Sequence, residues 1–228
     1  MRIVIIVAMD KEMKLFLNIL DNNVKHKDVF DNDIYTGFIG THEIILTKSG
    51  IGKVNSSLTT SYVITMFRPD LIINSGVAGS VDETAKIGDV LVPLKVVYHD
   101  LWCGVGTTYG QADGCPTYFK PFEKGVDIFK KLITDRQIKY GLLCSGDKFI
   151  MYPDDVQGIK MYFPHALGCD MESASIAQTC YKYDTPFIVI RVLSDRPGSG
   201  NNLKEYNNFW EIAPQQTFDI VKQFIEKL

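Results

Sequence analysis

Four carboxylates follow apolar runs of the sequence and are the residues best suited to acid–base chemistry. They are Glu12, Asp170, Glu172 and Asp195. A single carboxylate in such a place usually caps a helix or favours its first turn. Four of them, with Arg191 four residues before Asp195, indicate charge chemistry, because the surroundings can hold one carboxyl protonated and another ionised.

Alternating apolar segments must position these side chains. Residues 3–9 are apolar and mostly β-branched, which predicts a buried strand, and three- and four-residue spacing predicts a helix over 10–20. The same reasoning predicts further strands at 33–38, 43–47, 70–74, 87–98 (broken at Pro93), 140–144 and 186–193. It predicts further helices ending at 67 and at 123–136, 154–162, 172–183 and 203–228, the last broken at Pro214.

This alternation, without repeats or a linker, predicts one α/β domain over residues 1–228. Its sheet should be largely parallel, with helices on both faces. In such folds ligands bind beyond the carboxyl ends of the strands. We therefore expect one shared site, built from segments at or near strand ends: 9–12, 75–80, 145–150, 170–172 and 194–195.

Composition excludes several classes of protein. The 228 residues are 46% hydrophobic and 22% charged, as in an ordinary globular protein, and the net charge of −3 gives no basic excess for nucleic acid. No unbroken apolar run is long enough for a membrane span. The five cysteines form no C-x-x-C pair, which is typical of reduced thiols in the cytoplasm. We expect a small-molecule partner or a second copy of the chain.

Two glycine-rich segments and the histidines give only weak indications of phosphate, dinucleotide or metal binding. The segment SGIGK at 49–53 lacks the first glycine and the hydroxyl residue of a phosphate loop, and SGVAGS at 75–80 has only two glycines of a dinucleotide fingerprint. The latter is interpreted as a tight turn whose N–H groups approach a ligand. No histidine pair has metal-ligand spacing, so the sequence predicts neither a metal nor a cofactor.

Taken together, the motifs resemble one enzyme family. In chain order they are AMDKE (8–12), KSGIGKV (48–54), INSGVAGS (73–80), YHD (98–100), YGQADGCP (109–116), SGDKFI (145–150), DMES (170–173) and RVLSD (191–195). Their order and spacing resemble the bacterial 5′-methylthioadenosine/S-adenosylhomocysteine nucleosidases. The resemblance implies a three-layer α/β/α sandwich with a twisted, mixed central sheet of the nucleoside phosphorylase/hydrolase kind. It also implies hydrolysis of an adenosine-derived thionucleoside to adenine and a 5′-thio ribose, in methionine salvage and the methyl cycle.

The resemblance assigns three catalytic residues. Asp195 matches the general acid that protonates adenine N7, and Glu12 matches the residue that orients and deprotonates the attacking water. Arg191 would help to hold Glu12 and the water. Pro197, two residues after Asp195, departs from the family because proline has no N–H to offer the acid or N7.

The resemblance also assigns the substrate pocket. Glu172 would bind the ribose hydroxyls, Met171 would pack on the sugar, Phe149 would stack on adenine, and the Ile150 backbone would read the adenine edge. Tyr206 would close the 5′ side. The remaining expected pocket residues are Val77, which stands where some relatives have serine, Ala78, Gly79, Asp170, which replaces the usual glutamate, and Ser194.

Other functions remain open at this stage. The same fold carries nucleoside phosphorylases, futalosine-type hydrolases and, on the same scaffold, non-catalytic nucleoside sensors. VAMDKE at 7–12 offers acids where a phosphorylase would bind phosphate, and an intact set of acids favours catalysis over sensing. The irregular segment 99–119 carries Trp102, Tyr109, Tyr118 and Phe119, which predicts exposed aromatic surface and a homodimer.

Overall fold

The computed structural model describes residues 1–212 and 214–228, with side chains at all of these except 212 and 214–218. The strands of this described part are β1 (Arg2–Val7), β2 (Asp21–Lys27), β3 (Asp33–Ile39), β4 (His42–Lys48), β5 (Leu71–Ser80), β6 (Val90–Tyr98), β7 (Ile138–Ser145), β8 (Ala166–Asp170) and β9 (Phe187–Asp195). Its helices are α1 (Asp10–Leu17), α2 (Lys53–Phe67), α3 (Glu123–Lys131), α4 (Pro153–Tyr162), α5 (Ser173–Lys182), α6 (Asn202–Ile212) and α7 (Pro214–Ile225). Pro214, where the sequence predicts a break, is the first residue of α7, and residue 213 before it lies outside the described residues.

The strands form one mixed sheet in the order β2-β3-β4-β1-β5-β8-β7-β6-β9. Parallel pairing joins β1 to β4 and β5, β5 to β9, and β7 to β6 and β8. The other neighbours, β2–β3, β3–β4, β5–β8 and β6–β9, pair in antiparallel fashion. Because β9 pairs with both β5 and β6, the second half of the sheet closes into a ring. The prediction of a mixed central sheet is confirmed.

Helices cover both faces of the sheet, as β1 illustrates. Successive side chains of a strand point to opposite faces. Ile3 and Ile5 belong to the apolar core with residues of α1, α3, α6 and α7, whereas Val4 and Ile6 belong to the core with residues of α2 and α5. The three-layer α/β/α arrangement is therefore confirmed. In the described residues no helix is both long and apolar enough to cross a membrane.

Strand β5 corrects the interpretation of SGVAGS as a turn. Its backbone stays extended through Ser80, because residues 75–79 continue the parallel ladder with β9. Pro93 does not end β6; it coincides with a shift in the register between β6 and β7. The sequence also failed to predict two strands, β2 and β8. All of β2 is exposed and every residue in it except Val24 is polar, and β8 has only five residues.

The irregular segment 99–119 exposes fewer aromatic side chains than its sequence suggests. Phe119 is buried, and Tyr109 stacks on Tyr162 at a centroid distance of 3.8 Å. Trp102 and Tyr118 are 57% and 38% exposed. The predicted aromatic surface is thus limited to these last two rings.

Candidate active site

A cavity that is partly open to solvent lies at the carboxyl ends of β1, β5, β8 and β9. Polar and aromatic side chains from distant parts of the chain meet there. The predicted site residues that line it are Glu12, Val77, Ala78, Gly79, Phe149, Ile150, Asp170, Met171, Glu172, Ser194, Asp195 and Tyr206. Arg191 does not line the cavity and is buried beside it.

Asp195 is the last residue of β9 and is 2% exposed. The Ser194 hydroxyl donates to its Oδ1 at 2.6 Å. The pKa of Asp195 is raised to about 6, because the effects of burial and of the Glu205 charge outweigh the opposing hydrogen bond from Ser194. A carboxyl with this pKa keeps part of the population protonated near neutral pH and can donate that proton to a ligand.

Glu12 lies in the first turn of α1, with its carboxylate folded back towards β1 and β5. The N–H groups of Ala8 and Met9 donate to Oε2 at 2.8 and 2.9 Å, and the N–H of Val77 donates to Oε1 at 3.2 Å. Burial raises the pKa of Glu12, while the charge of Arg191 and these three N–H groups lower it. Glu12 is therefore a buried, oriented carboxylate with charge compensation nearby.

Gly76 explains how the carboxylate of Glu12 comes so close to β5. A Cβ on residue 76 would lie 2.6 Å from Glu12 Oε1 and 3.4 Å from Arg191 Nη1. Real Cβ contacts essentially never reach 2.6 Å, so only glycine leaves room for the carboxylate there.

Arg191 makes its hydrogen bonds to residues other than Glu12. Its Nε donates to Asp170 Oδ2 at 2.8 Å, and its Nη2 donates to Ser173 Oγ at 2.8 Å and to Asn74 Oδ1. The guanidinium is 1% exposed, and it acts on Glu12 through its charge. Its ion pair with Asp170 ties the end of β8 to β9.

Glu172 precedes α5 and is held from across the cavity by the glycine-rich segment 49–53. The N–H of Gly52 donates to Glu172 Oε1 at 2.9 Å. Gly52 has a φ of 95°, a left-handed backbone that glycine adopts without strain. Burial, followed by the charge of Asp170, raises the pKa of Glu172.

The mouth of the cavity is aromatic. The Phe149 ring is 40% exposed and meets Tyr206 edge-on at a centroid distance of 5.8 Å. The Tyr206 hydroxyl donates to Met9 Sδ at 3.4 Å, which brings α6 against the loop after β1. The rings of Phe149 and Tyr206 therefore form an apolar side of the cavity that the carboxylates also line.

Comparison with known proteins identifies the family. The phosphorylase superfamily pattern matches residues 2–226. A 5′-methylthioadenosine/S-adenosylhomocysteine nucleosidase of Buchnera aphidicola (strain Tuc7) is 38% identical over 100% of this chain and 99% of its own. The chain belongs to this nucleosidase family within the phosphorylase superfamily.

Solved structures of the family agree with the fold. The S-adenosylhomocysteine nucleosidase of Streptococcus pyogenes, in complex with 5-methylthiotubericidin, superposes with a TM-score of 0.93 at 36% identity, covering 100% of this chain and 97% of the other. The Streptococcus pneumoniae nucleosidase in complex with 8-aminoadenine gives 0.94 at 34% identity, with full coverage of both chains.

Two residues that the resemblance marked as unlike the family pattern, Val77 and Pro197, can now be placed in the site. Val77 supplies its backbone N–H to Glu12, a contact that any residue except proline can make at this position. Pro197 lines the cavity, and its ring packs so closely on Gly79 that a Cβ there would lie 2.6 Å from Pro197 Cγ. Asp195 still faces the cavity with this proline in place.

Sequence reasoning missed three residues that anchor the nucleosidase site: Asn74, Ser173 and Gly52. Asn74 and Ser173 hold the guanidinium of Arg191, and Gly52 holds Glu172. A signal existed for Asn74, because it is a polar residue that directly follows the apolar run 71–73 within a buried strand. Ser173 and Gly52 are residue types common in helix caps and turns, so their role was not visible without the fold.

Proposed function

We propose that this protein hydrolyses the N-glycosidic bond of 5′-methylthioadenosine and S-adenosylhomocysteine, releasing adenine and the 5′-thio-substituted ribose. One observation carries the proposal: two buried carboxyls with raised pKa values, Asp195 and Glu12, face one cavity from different elements. The full-length relatives of that name and the complexes with a methylthio-nucleoside analogue and an aminoadenine support the substrate class.

Asp195 acts as the general acid. Adenine is a poor leaving group until N7 accepts a proton. Because Ser194 donates to Oδ1, the proton of the acid resides on Oδ2, which is then free to donate to the base. The pKa of about 6 keeps part of the population protonated near neutral pH without making the proton hard to release.

Glu12 acts as the general base. Three backbone N–H donors fix its carboxylate but leave lone pairs for a water proton. The nearby charge of Arg191 favours the ionised form that accepts this proton. Arg191 is in turn fixed by Asp170, Asn74 and Ser173, so its contribution is electrostatic and positional.

Glu172 and Met171 act on the sugar. The bond breaks through an oxocarbenium-like ribose, so positive charge develops on the ring. Glu172 accepts from the ribose hydroxyls, and the positive charge that develops on the ring favours the ionised form of its carboxyl, whose pKa burial has raised. Glu172 therefore binds this state more tightly than the neutral substrate. Met171 offers a polarizable surface to the sugar from the cavity wall.

The base and the 5′ group occupy the aromatic side of the cavity. Phe149 stacks on adenine, the Ile150 backbone pairs with its edge, and Tyr206 closes over the 5′ substituent. Ala78 and Gly79 form the floor of the same cavity from β5.

The direct test is a product assay with the purified protein. Free adenine should appear from 5′-methylthioadenosine and S-adenosylhomocysteine, more slowly from adenosine, and no hypoxanthine should appear from inosine. An aminofutalosine substrate belongs in the same assay, because the same residues serve that related reaction. If only the futalosine compound is cleaved, it becomes the substrate in place of the two proposed here. If no compound releases its base, the proposed enzymatic activity is refuted.

We further propose that the chain works as a homodimer. Trp102 and Val105 are 57% and 99% exposed, and no described residue of segment 99–119 lines the chain's own cavity. An exposed apolar segment of this kind fits a second copy of the chain. Sedimentation should give twice the chain mass, and a monomer that keeps full activity at nanomolar concentration would contradict the proposal.

The cytoplasm is the proposed location. All five cysteines are unpaired, and only Cys103 is exposed, which is the state expected in a reducing compartment. Fractionation of cells should therefore recover the protein with soluble cytoplasmic markers, and recovery in a periplasmic or secreted fraction would contradict this.

A further inference from the structure

Three charged side chains that the proposed reaction does not use meet beside the cavity: Lys53, Asp100 and Asp147. Lys53 Nζ donates to Asp100 Oδ2 at 2.8 Å, and the backbone N–H of Asp147 donates to the same oxygen at 2.8 Å. Lys53 Nζ also lies 3.9 Å from Asp147 Oδ2. Their neighbours in the chain, Ile51 and Lys148, line the cavity. The cluster therefore ties three distant segments together at the edge of the site.

The start of helix α2 explains what this cluster holds. Its N-cap is Gly52, which has no side-chain oxygen to accept from the first N–H groups of the helix. Two carboxylates from elsewhere in the fold accept instead. Glu172 Oε1 accepts from the N–H of Gly52 at 2.9 Å, and Asp147 Oδ1 accepts from the N–H of Lys53 at 2.8 Å. The positive end of the helix dipole favours both negative charges.

The two carboxylates accept from adjacent peptide groups, so the position of one depends on the other. The peptide group between residues 52 and 53 is held at its carbonyl by Ser56, whose hydroxyl donates to Gly52 O at 2.8 Å, and at its N–H by Asp147. Gly50 and Gly52 have φ values of 84° and 95°, and glycine lets this segment rotate at little cost. Without Asp147, one of the two constraints on this peptide group is lost.

We infer that Asp147 is a positioning residue for the proposed reaction: by capping α2 it fixes the Gly52 N–H, which in turn orients the Glu172 carboxylate. On the proposed function, which this inference presupposes, Glu172 accepts from the ribose hydroxyls. Asp147 thus acts on the sugar through Glu172.

The helix itself is anchored independently of Asp147. The buried hydroxyls of Ser56 in α2 and Ser175 in α5 lie 2.6 Å apart. The Asp147 side chain is 45% exposed, so its removal leaves no cavity in the core. Loss of this carboxylate should therefore loosen residues 49–52 and leave the fold intact.

The adenine-binding residues that follow Asp147 are also held by other bonds. The N–H of Asp147 donates to Asp100, and the N–H of Gly146 donates to Asp170 O at 3.0 Å. Both are backbone donors, so they remain when the Asp147 side chain is removed. Phe149 and Ile150 should keep their places, and the effect should fall on the sugar side.

The test compares Asp147→Ala with Asp154→Ala, a matched control at an exposed aspartate in the first turn of α4. With 5′-methylthioadenosine, we expect kcat of Asp147→Ala to fall about tenfold, the effect of misplacing a catalytic group by a fraction of an ångström. KM should rise less than about threefold, because Glu172 acts mainly on the transition state. Asp147→Asn should stay within about twofold of the wild type, since its amide oxygen still accepts from the Lys53 N–H. Asp154→Ala should match the wild type.

A double-mutant cycle separates this role from a merely structural one. If Asp147 acts through Glu172, Asp147→Ala should cost less than about twofold in kcat when it is made in Glu172→Gln, because the interaction that it supports is already weakened. An equal loss in both backgrounds would overturn the inference, because it would place the effect on the adenine side or on the fold. A folded Asp147→Ala with the kcat of the wild type would overturn it as well.

Lys53→Pro covers the case in which Asp147→Ala does not fold. Proline is tolerated at the first position of a helix and has no N–H, so it removes the donor of the same hydrogen bond. Its control is Lys53→Ala, which loses the same ammonium group but keeps the N–H. The kcat of Lys53→Pro should lie about tenfold below that of Lys53→Ala, and equal values would overturn the inference. Wild-type protein that releases no adenine would refute the proposed function instead, so the two failures are distinguishable.

Discussion

Asp195→Asn tests two separate properties of the Asp195 carboxyl: its contribution to kcat as a proton donor and the loss of fold stability caused by its burial. The amide keeps the shape of the side chain but has no acidic proton for N7. General acids contribute about 10²–10⁴-fold to rate, so kcat should fall by that factor at pH 5, where most of Asp195 is protonated. The matched control is Asp127→Asn on α3, whose side chain is 61% exposed and does not line the cavity.

The pH dependence follows from the pKa of about 6. In the free enzyme the protonated fraction of Asp195 falls to about 10% at pH 7 and about 1% at pH 8. The wild-type value of kcat/KM should therefore decline tenfold per unit above pH 6, while that of Asp195→Asn should lack this limb. The ratio of the wild-type kcat/KM to that of Asp195→Asn should therefore fall by about 100-fold between pH 5 and pH 8.

The same substitution should stabilise the fold. Because the folded-state pKa of Asp195 is raised from 3.8 to about 6, the folded protein binds the proton more tightly and loses stability as pH rises through this window. The cost is complete above pH 6 and amounts to about 3 kcal/mol at most. Asp195→Asn should thus melt several degrees higher than the wild type at pH 7.5, with the difference vanishing towards pH 4.

The assay is adenine release from 5′-methylthioadenosine between pH 5 and pH 8, with thermal melts in the same buffers. An Asp195→Asn variant that turns over at the wild-type rate, or that keeps the alkaline limb, would refute the assignment of the acid. A variant that melts lower than the wild type at pH 7.5 would refute the claim that burial of this carboxyl destabilises the fold.

Two further predictions concern the sugar and the water. Glu172→Gln should reduce kcat more than it raises KM, and with a 2′-deoxy substrate the two losses should be non-additive, because both remove the same contact; additive losses would place Glu172 away from the hydroxyls. Gly76→Ala should lower kcat about 10–100-fold, since its Cβ would displace the Glu12 carboxylate. Gly158→Ala is the control: a Cβ there meets nothing within 4 Å, so this variant should be as active as the wild type. A fully active Gly76→Ala would contradict the prediction, because it would show that catalysis tolerates displacement of the Glu12 carboxylate.

The sequence was sufficient for the order of elements and for the side chains that meet at the strand ends. Apolar runs and the change of period between strand and helix located β1, α1, β9 and most other elements, because burial dictates those patterns. The carboxyl-end rule then brought Glu12 and Asp195 to one edge. The elements follow from local sequence patterns, and the meeting of Glu12 with Asp195 follows from the topology of the sheet. Both could therefore be predicted from the sequence alone.

What the sequence could not predict depends on long-range pairing. Residues 75–80 contain glycine and serine and look like a turn, yet pairing with β9, and with β8 at Ser80, keeps them extended. Asn202 lies in a Gly/Asn-rich stretch with no periodicity, so nothing in its neighbourhood points to its hydrogen bond with Ile150 O. The partners of Arg191 are likewise spread over β5, β8 and α5.

The central claim is that Glu12 activates water and that phosphate takes no part. An ionised carboxylate attracts a water proton but repels a phosphate dianion, and Arg191 is already committed to Asp170. The most direct measurement is the sugar product of 5′-methylthioadenosine cleavage, with the rate measured in phosphate-free buffer and again with added phosphate. The account predicts equal rates and free 5-methylthioribose in both. A rate that depends on phosphate, with a sugar 1-phosphate as product, would contradict it.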